Sequence, residues 1–202
     1  LGEIMSSNEI LREVEYSSLA KSRVHNFNTK EGGSIKLTVP PTVYPPRRDT
    51  ELLLQGLNCI NLQAGNLVEI GCGSGAISIA MALSGWNVTA FDVNPLAVVA
   101  TIGNSEVAGV EDYVTVKEGG VGEENWKLPK DVDLVVWNLP YLVPNLENML
   151  GPMEEAAMTD EANLGWSEKL LHAANDESEK DTMFVLLMNS DSNPQNSSLS
   201  WT

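Results

Sequence analysis

Hydrophobic residues recur along this chain in two rhythms. In "SIKLTVPPTVYPP", Ile35, Leu37 and Val39 alternate with polar neighbours, the period of a half-buried strand, until the prolines end any ladder. "RRDTELLLQGLNCI" then turns helical, with Asp49 or Thr50 as cap and Leu52, Leu53, Leu54 and Leu57 on the buried side. From residue 66 onward the rhythms take turns. "NLVEI" (66–70), "NVTAF" (87–91), "YVTVK" (113–117), "DLVVW" (133–137) and "TMFVLLM" (182–188) are short apolar runs of strand type. "GAISIAMALSG" and "PLAVVATIGNSEVAG" are helical, as is a stretch from about 160 to 177. Alternating strands and helices predict an open, doubly wound α/β fold around a mostly parallel sheet. Residues 7–24, with Ile10, Leu11, Val14, Leu19 and Val24, predict a loose amphipathic helix, and the Ser/Asn-rich end "NSDSNPQNSSLSWT" predicts a disordered tail.

Charge narrows the partners. The 202 residues carry a net charge of −16, from 28 acidic against 12 basic side chains, and no Lys/Arg block offsets it locally. Direct nucleic-acid binding and anionic membrane surfaces are disfavoured. Cys59 and Cys72 form no metal pattern, and His25 and His172 have no acid or Cys at ligand spacing, so no metal site is expected. The first residues lack the basic start and apolar stretch of a signal peptide, and no segment reaches the roughly 18 apolar residues of a membrane span. A soluble, cytoplasmic protein is expected.

Candidate chemistry starts at "VEIGCGSGAISIA", where Gly71, Gly73 and Gly75 lie between a strand and a helix and let a ligand approach free backbone N–H groups. Gly71, Gly73 and Ala76 also satisfy the dinucleotide pattern G-x-G-x-x-A, so a nicotinamide oxidoreductase stands as a rival. Asp92, in "FDVNP", comes about 20 residues after the loop, where a carboxylate accepts the hydroxyls of an adenosine ribose under either reading. Glu69 separates the two. A carboxylate there sits badly near a pyrophosphate and suits a ligand with positive charge, such as S-adenosylmethionine with its ammonium and sulfonium.

"VEIGCGSGAIS" with "FDVNP" resembles the cofactor motifs of class I S-adenosylmethionine-dependent methyltransferases, and "WNLPYL" (137–142) resembles the (N/D)PPY signature of their amino-nitrogen-methylating branch. "VPPTVYPPRRDTELLL" is similar to the segment before the glycine loop in the HemK family of protein glutamine methyltransferases, especially its short archaeal and eukaryotic members. The likeness covers roughly residues 33–142. It implies that Glu69, Gly71 and Gly73 line the methionine and ribose parts of S-adenosyl-L-methionine, that Asp92 holds the ribose hydroxyls and that Val93 packs near the adenine. Thr50, with Asp49 beside it, matches the position that reaches the cofactor carboxylate, and Glu118 is the nearest acid for the adenine end. By contrast, Glu123 and Glu124 read as solvated surface, and so do Arg47 and Arg48.

The catalytic expectation rests on Asn138, Leu139, Pro140 and Tyr141. An amide nitrogen is a poor nucleophile because its lone pair is delocalised, and two hydrogen-bond acceptors that take its N–H protons turn that lone pair toward a methyl donor. The side-chain oxygen of Asn138 supplies one and the backbone carbonyl of residue 139 the other. Tyr141 is to stack on the planar acceptor, a contribution on the order of 1 kcal/mol. Leu139 stands where the family pattern has its first proline; it keeps the carbonyl, adds an N–H, and is held extended by Pro140.

The organisation expected is a helical extension over 1–32, a Rossmann-like methyltransferase domain over 33–189 without the C-terminal hairpin of the class, and a polar tail over 190–202. The reaction expected is N-methylation of a glutamine amide in a protein, with a translation release factor as the family-suggested substrate and a small activator subunit as a partner that the resemblance implies. Two alternatives stay open: methylation of an adenine amino group in RNA or DNA, and a catalytically silent cofactor-binding subunit.

Overall fold

The computed structural model describes residues 21–29, 33–123, 126–140, 165–175 and 181–188. It opens on an antiparallel hairpin, β1 (Arg23–Asn28) with β2 (Ser34–Val39), in which Phe27 faces Ile35. The helix expected over 7–24 therefore does not reach its predicted end, since Arg23 and Val24 already belong to a strand; residues 7–20 lie outside the described part. The domain boundary expected at residue 32 divides this hairpin. In "RVHNFN" only Phe27 is buried, so the segment carries little of the alternation that marks a strand, and its conformation is set by pairing with β2.

After α1 (Arg48–Cys59) the strands β3 (Asn66–Ile70), β4 (Asn87–Asp92), β5 (Val114–Glu118), β6 (Leu134–Asn138) and β7 (Met183–Leu187) form one parallel sheet in the order β5-β4-β3-β6-β7. The helices α2 (Ala76–Leu83), α3 (Pro95–Ala108) and α4 (Trp166–Asn175) lie between these strands in the chain, as parallel pairing requires. Successive strand residues point to opposite faces, which divides the core in two. Leu67, Val88, Ala90, Leu134 and Val136 pack with Leu53, Leu57, Ile77 and Ile79 on one side, and the hairpin residues Ile35 and Leu37 join them. Val68, Ile70, Phe91, Val135, Trp137 and Leu139 pack with Leu170 of α4 on the other.

The chain builds outward from β3 through β4 to β5, then returns to lay β6 on the opposite side of β3. Ligands bind outside the carboxyl ends of the strands at such a reversal. Ile70 pairs with both Phe91 and Trp137, so this topology sets Gly71, Asp92 and Asn138 side by side at the ends of three neighbouring strands. Among the described residues no helix is long and apolar enough to cross a membrane.

Candidate active site

A cavity of about 320 Å³ opens at those strand ends. Its floor is the glycine loop, where Gly71, Gly73 and Gly75 adopt φ of 68°, 57° and 84°, values that an L side chain rarely takes. The segment 42–46 and Thr50 line one wall, Asp92, Val93 and Asn94 another, and residues 119–123 a third; Trp137, Asn138, Pro140 and Trp166 close the far end. Thr50, Glu69, Gly71, Gly73, Asp92, Val93, Asn138 and Pro140, all expected at the site, meet in this one space. Tyr141 lies outside the described residues. Glu118 lines a different, open groove beside β5, whereas Glu123, read as surface, lines both that groove and the cavity.

The acids are held by their surroundings. Glu69 is 5% exposed, on the β3 face that meets α2, and the Ser78 hydroxyl bonds its Oε2. Burial pushes its carboxyl up to about 8, against the opposing effect of the Ser78 bond and with a small addition from the Asp92 charge. Glu69 is thus largely protonated near neutral pH unless a cation enters beside it, a refinement of the carboxylate that the sequence predicts. Asp92 accepts the N–H of Gly73 through Oδ2 at 2.8 Å and that of Asn94 through Oδ1 at 2.9 Å. Burial raises its pKa while these two bonds lower it. Each oxygen keeps a lone pair for a further donor such as a ribose hydroxyl.

Asp49 and Thr50 are not the cap of α1, because Arg47 holds that place and both residues stand in the first turn. The Thr50 hydroxyl accepts the Arg47 N–H at 3.2 Å, and Asp49 Oδ1 accepts the Thr50 N–H at 2.7 Å. The other oxygen of Asp49 accepts from Asn138 Nδ2 at 2.9 Å. That bond orients the Asn138 carboxamide and leaves its Oδ1 buried with no hydrogen-bond partner among the described residues. A buried acceptor left so costs roughly 1–3 kcal/mol, which a ligand N–H can recover. Leu139 is 2% exposed; its side chain packs in the core beside Trp137, and its N–H donates to Leu187 of β7 at 3.1 Å, so the hydrogen that proline lacks extends the sheet.

α3 supports the floor from beneath. Thr101 Oγ1 donates to the Gly73 carbonyl at 3.0 Å, and Asn104 Nδ2 donates to the Ser74 carbonyl at 2.9 Å. Asn104 also accepts from the Thr38 N–H and donates to the Thr38 carbonyl, at 2.8 and 2.9 Å. The sequence offers little sign of Asn104, whose partners lie 30 and 66 residues away.

The donor set fits an adenosyl ligand with positive charge. The buried Glu69, the half-buried Asp92 and Glu123 line the cavity, and among the described residues no Lys, Arg or His does, so the pyrophosphate of a dinucleotide meets no counter-charge here. Comparison with known proteins agrees: residues 48–177, more than half of the chain, match the family described as ribosomal protein L11 methyltransferase (PrmA). The chain belongs to this PrmA-type family of S-adenosylmethionine-dependent methyltransferases.

Relatives of the PrmA-type chain carry several kinds of methyltransferase name. A release factor glutamine methyltransferase of Fusobacterium nucleatum is 39% identical over 105 residues, covering 48% of this chain and 28% of that one. A protein of Methanocaldococcus jannaschii, provisionally named a protein N5-glutamine methyltransferase, is 34% identical over 109 residues, or 54% of this chain and 52% of that one. A ribosomal protein L11 methyltransferase of Herpetosiphon aurantiacus is 35% identical over 81 residues, covering 38% and 25%. The chain thus spans about half or less of the length of these relatives. Among solved structures, the hMettl16 catalytic domain in complex with the MAT2A 3'UTR hairpin 1 superposes with a TM-score of 0.54 at 16% identity, covering 69% of this chain and 56% of that one. This likeness concerns the fold.

Proposed function

We propose that this chain is an N-methyltransferase that acts on the side-chain amide of a glutamine in a protein. The observation that carries the reading is Asn138, which lines the cavity and whose buried Oδ1 has no hydrogen-bond partner among the described residues. Bound S-adenosylmethionine supplies an electrophilic methyl group on a sulfonium centre. Glu69, Gly71 and Gly73 would hold the methionine and ribose parts, Asp92 the ribose hydroxyls, Val93 the adenine side and Thr50 the carboxylate end. Asn138 Oδ1 accepts one N–H of the acceptor amide and the Leu139 carbonyl accepts the other, which turns the nitrogen lone pair toward the methyl donor. No base of unusual pKa is needed, because the amide proton is released to water once the nitrogen has been alkylated. Trp137 and Trp166, with ring centroids 6.4 Å apart, give the cavity an aromatic wall suited to a planar acceptor.

A protein substrate is supported by the net charge of −16, which opposes a nucleic-acid backbone, and by the relatives named for release factors. A release factor is the acceptor proposed, in the cytoplasm. The test is transfer of labelled methyl from S-adenosylmethionine to a release factor, to ribosomal protein L11 and to RNA, each with wild-type chain and with Asn138→Ala. Label on a glutamine of the release factor, abolished by the substitution, is expected; label confined to RNA or to L11 would refute the substrate.

A further inference from the structure

The segment 40–46, "PPTVYPP", forms a strap along the cavity, which Thr42, Tyr44, Pro45 and Pro46 line. Two features show this strap held in place. Val43 is buried in a small cluster with Val39 and with Ala97 of α3. Thr42 has φ of 66°, a left-handed conformation that a β-branched residue keeps only where its surroundings impose it.

Asn94 imposes it. Its Nδ2 donates to the Thr42 carbonyl at 3.0 Å, with the Thr42 hydroxyl 3.5 Å away. The Asn94 Oδ1 accepts the Leu96 N–H at 3.0 Å and so caps α3, and its backbone N–H donates to Asp92. At 7% exposure, this one residue joins the strap, the start of α3 and the acid of the ribose site. Helix capping alone does not explain the choice of Asn, because Ser or Thr caps as well and neither offers an amide donor.

We propose that Asn94 is a positioning residue that latches the strap over the cofactor cavity through Thr42, so that the carboxamide sets how long an adenosyl ligand stays bound. The proposal rests on the cofactor reading above. Opening the latch frees the Thr42 carbonyl to water and lets the strap leave the Asp92 side of the cavity.

Asn94→Ser and Asn94→Thr keep the capping oxygen and delete the donor to Thr42. S-adenosylhomocysteine dissociation is to be followed by tryptophan fluorescence, Trp137 being in the cavity wall. Hydrogen exchange at Val43 and Tyr44 is to be measured in the ligand-free protein, with thermal unfolding beside it. Dissociation about fivefold to tenfold faster and faster strap exchange, at a melting temperature close to wild type, are expected. Unchanged dissociation and unchanged exchange in both variants would overturn the latch, as would a lowered melting temperature with the strap unaffected, which is a capping role only. If wild type binds no S-adenosylhomocysteine, the cofactor reading fails while the exchange measurement still decides whether Asn94 holds the strap.

Discussion

The Asp49 carboxylate accepts a 2.9 Å hydrogen bond from Asn138 Nδ2, joining the first turn of α1 to the end of β6 across 89 residues of chain. An amide held by its nitrogen presents its oxygen, so Asp49 determines which end of Asn138 is left for the cavity. Asn138→Ala is expected to lower kcat by about 100-fold to 1,000-fold, the usual loss on deleting one preorganised polar group. Asp49→Ala leaves the carboxamide free to turn and is expected to cost about tenfold in kcat with cofactor affinity within about threefold of wild type. Single-turnover transfer and calorimetry measure the two separately, and equal losses in both would assign Asp49 to the cofactor's ammonium group instead.

Glu69 gives the fold a pH dependence. Its carboxyl lies at about 8 in the folded chain against 4.5 as reference, so between those values the native state holds a proton that the unfolded state has released. Stability conferred by the neutral form is complete below about 4.5, falls as pH rises toward 8, and levels off above, with a slope of at most about 1.4 kcal/mol per pH unit. Asp92, also raised by burial, acts in the same direction. Glu69→Gln is expected to flatten the curve, so that its melting temperature relative to wild type climbs from pH 5 to pH 8. Parallel curves would mean that Glu69 is ionised in the fold.

The parts of the structure that are legible in the sequence are those whose cause is local. Short apolar runs such as 66–70 and 133–137 become strands buried on both faces, and the glycine loop declares itself through residues that must take positive φ. Asp92 and Glu69 are legible by distance from that loop. What stays hidden depends on contacts far apart in sequence. Asp49 reads as a cap because capping residues and first-turn acids share a composition, and only the tertiary bond to Asn138 distinguishes them. Asn94 is an ordinary helix cap and Asn104 an ordinary helix residue until their partners at 42, 38 and 74 are known. Glu123 is hidden because an exposed glutamate in a glycine-rich turn looks the same whether or not it rims a cavity.

Leu139→Pro restores the residue of the family pattern and deletes the bond to Leu187. The loss of one backbone hydrogen bond, about 1 kcal/mol, is expected to lower the melting temperature by about 2–4 °C. Methyl transfer is expected to persist, since the carbonyl remains. A Leu139→Pro variant that melts as wild type does would show the β7 contact to be idle, and one that folds but has lost transfer would show that the leucine does more than lend its carbonyl.

Gly122 has φ of 98°, and a Cβ there would come within 2.7 Å of the Trp166 ring. Gly122→Ala is therefore expected to push α4 outward, shift the Trp166 emission and weaken cofactor binding by about tenfold or more, with a loss of stability of about 1–3 kcal/mol. Unaltered emission together with unaltered affinity would show that the 119–123 turn yields instead.

Asn104 meets both backbone groups of Thr38 as a neighbouring strand would, and its amide also reaches the Ser74 carbonyl. The outermost ladder of the hairpin thus ends on a side chain from α3, and the small antiparallel ribbon is wired into the glycine loop beneath the cavity rather than appended to it. The smallest piece of this chain that can be excised with a competent pocket accordingly begins before Arg23. Trimming at residue 33, where the patterning alone invites a cut, would strip β2 of its partner and slacken the glycine loop from a distance.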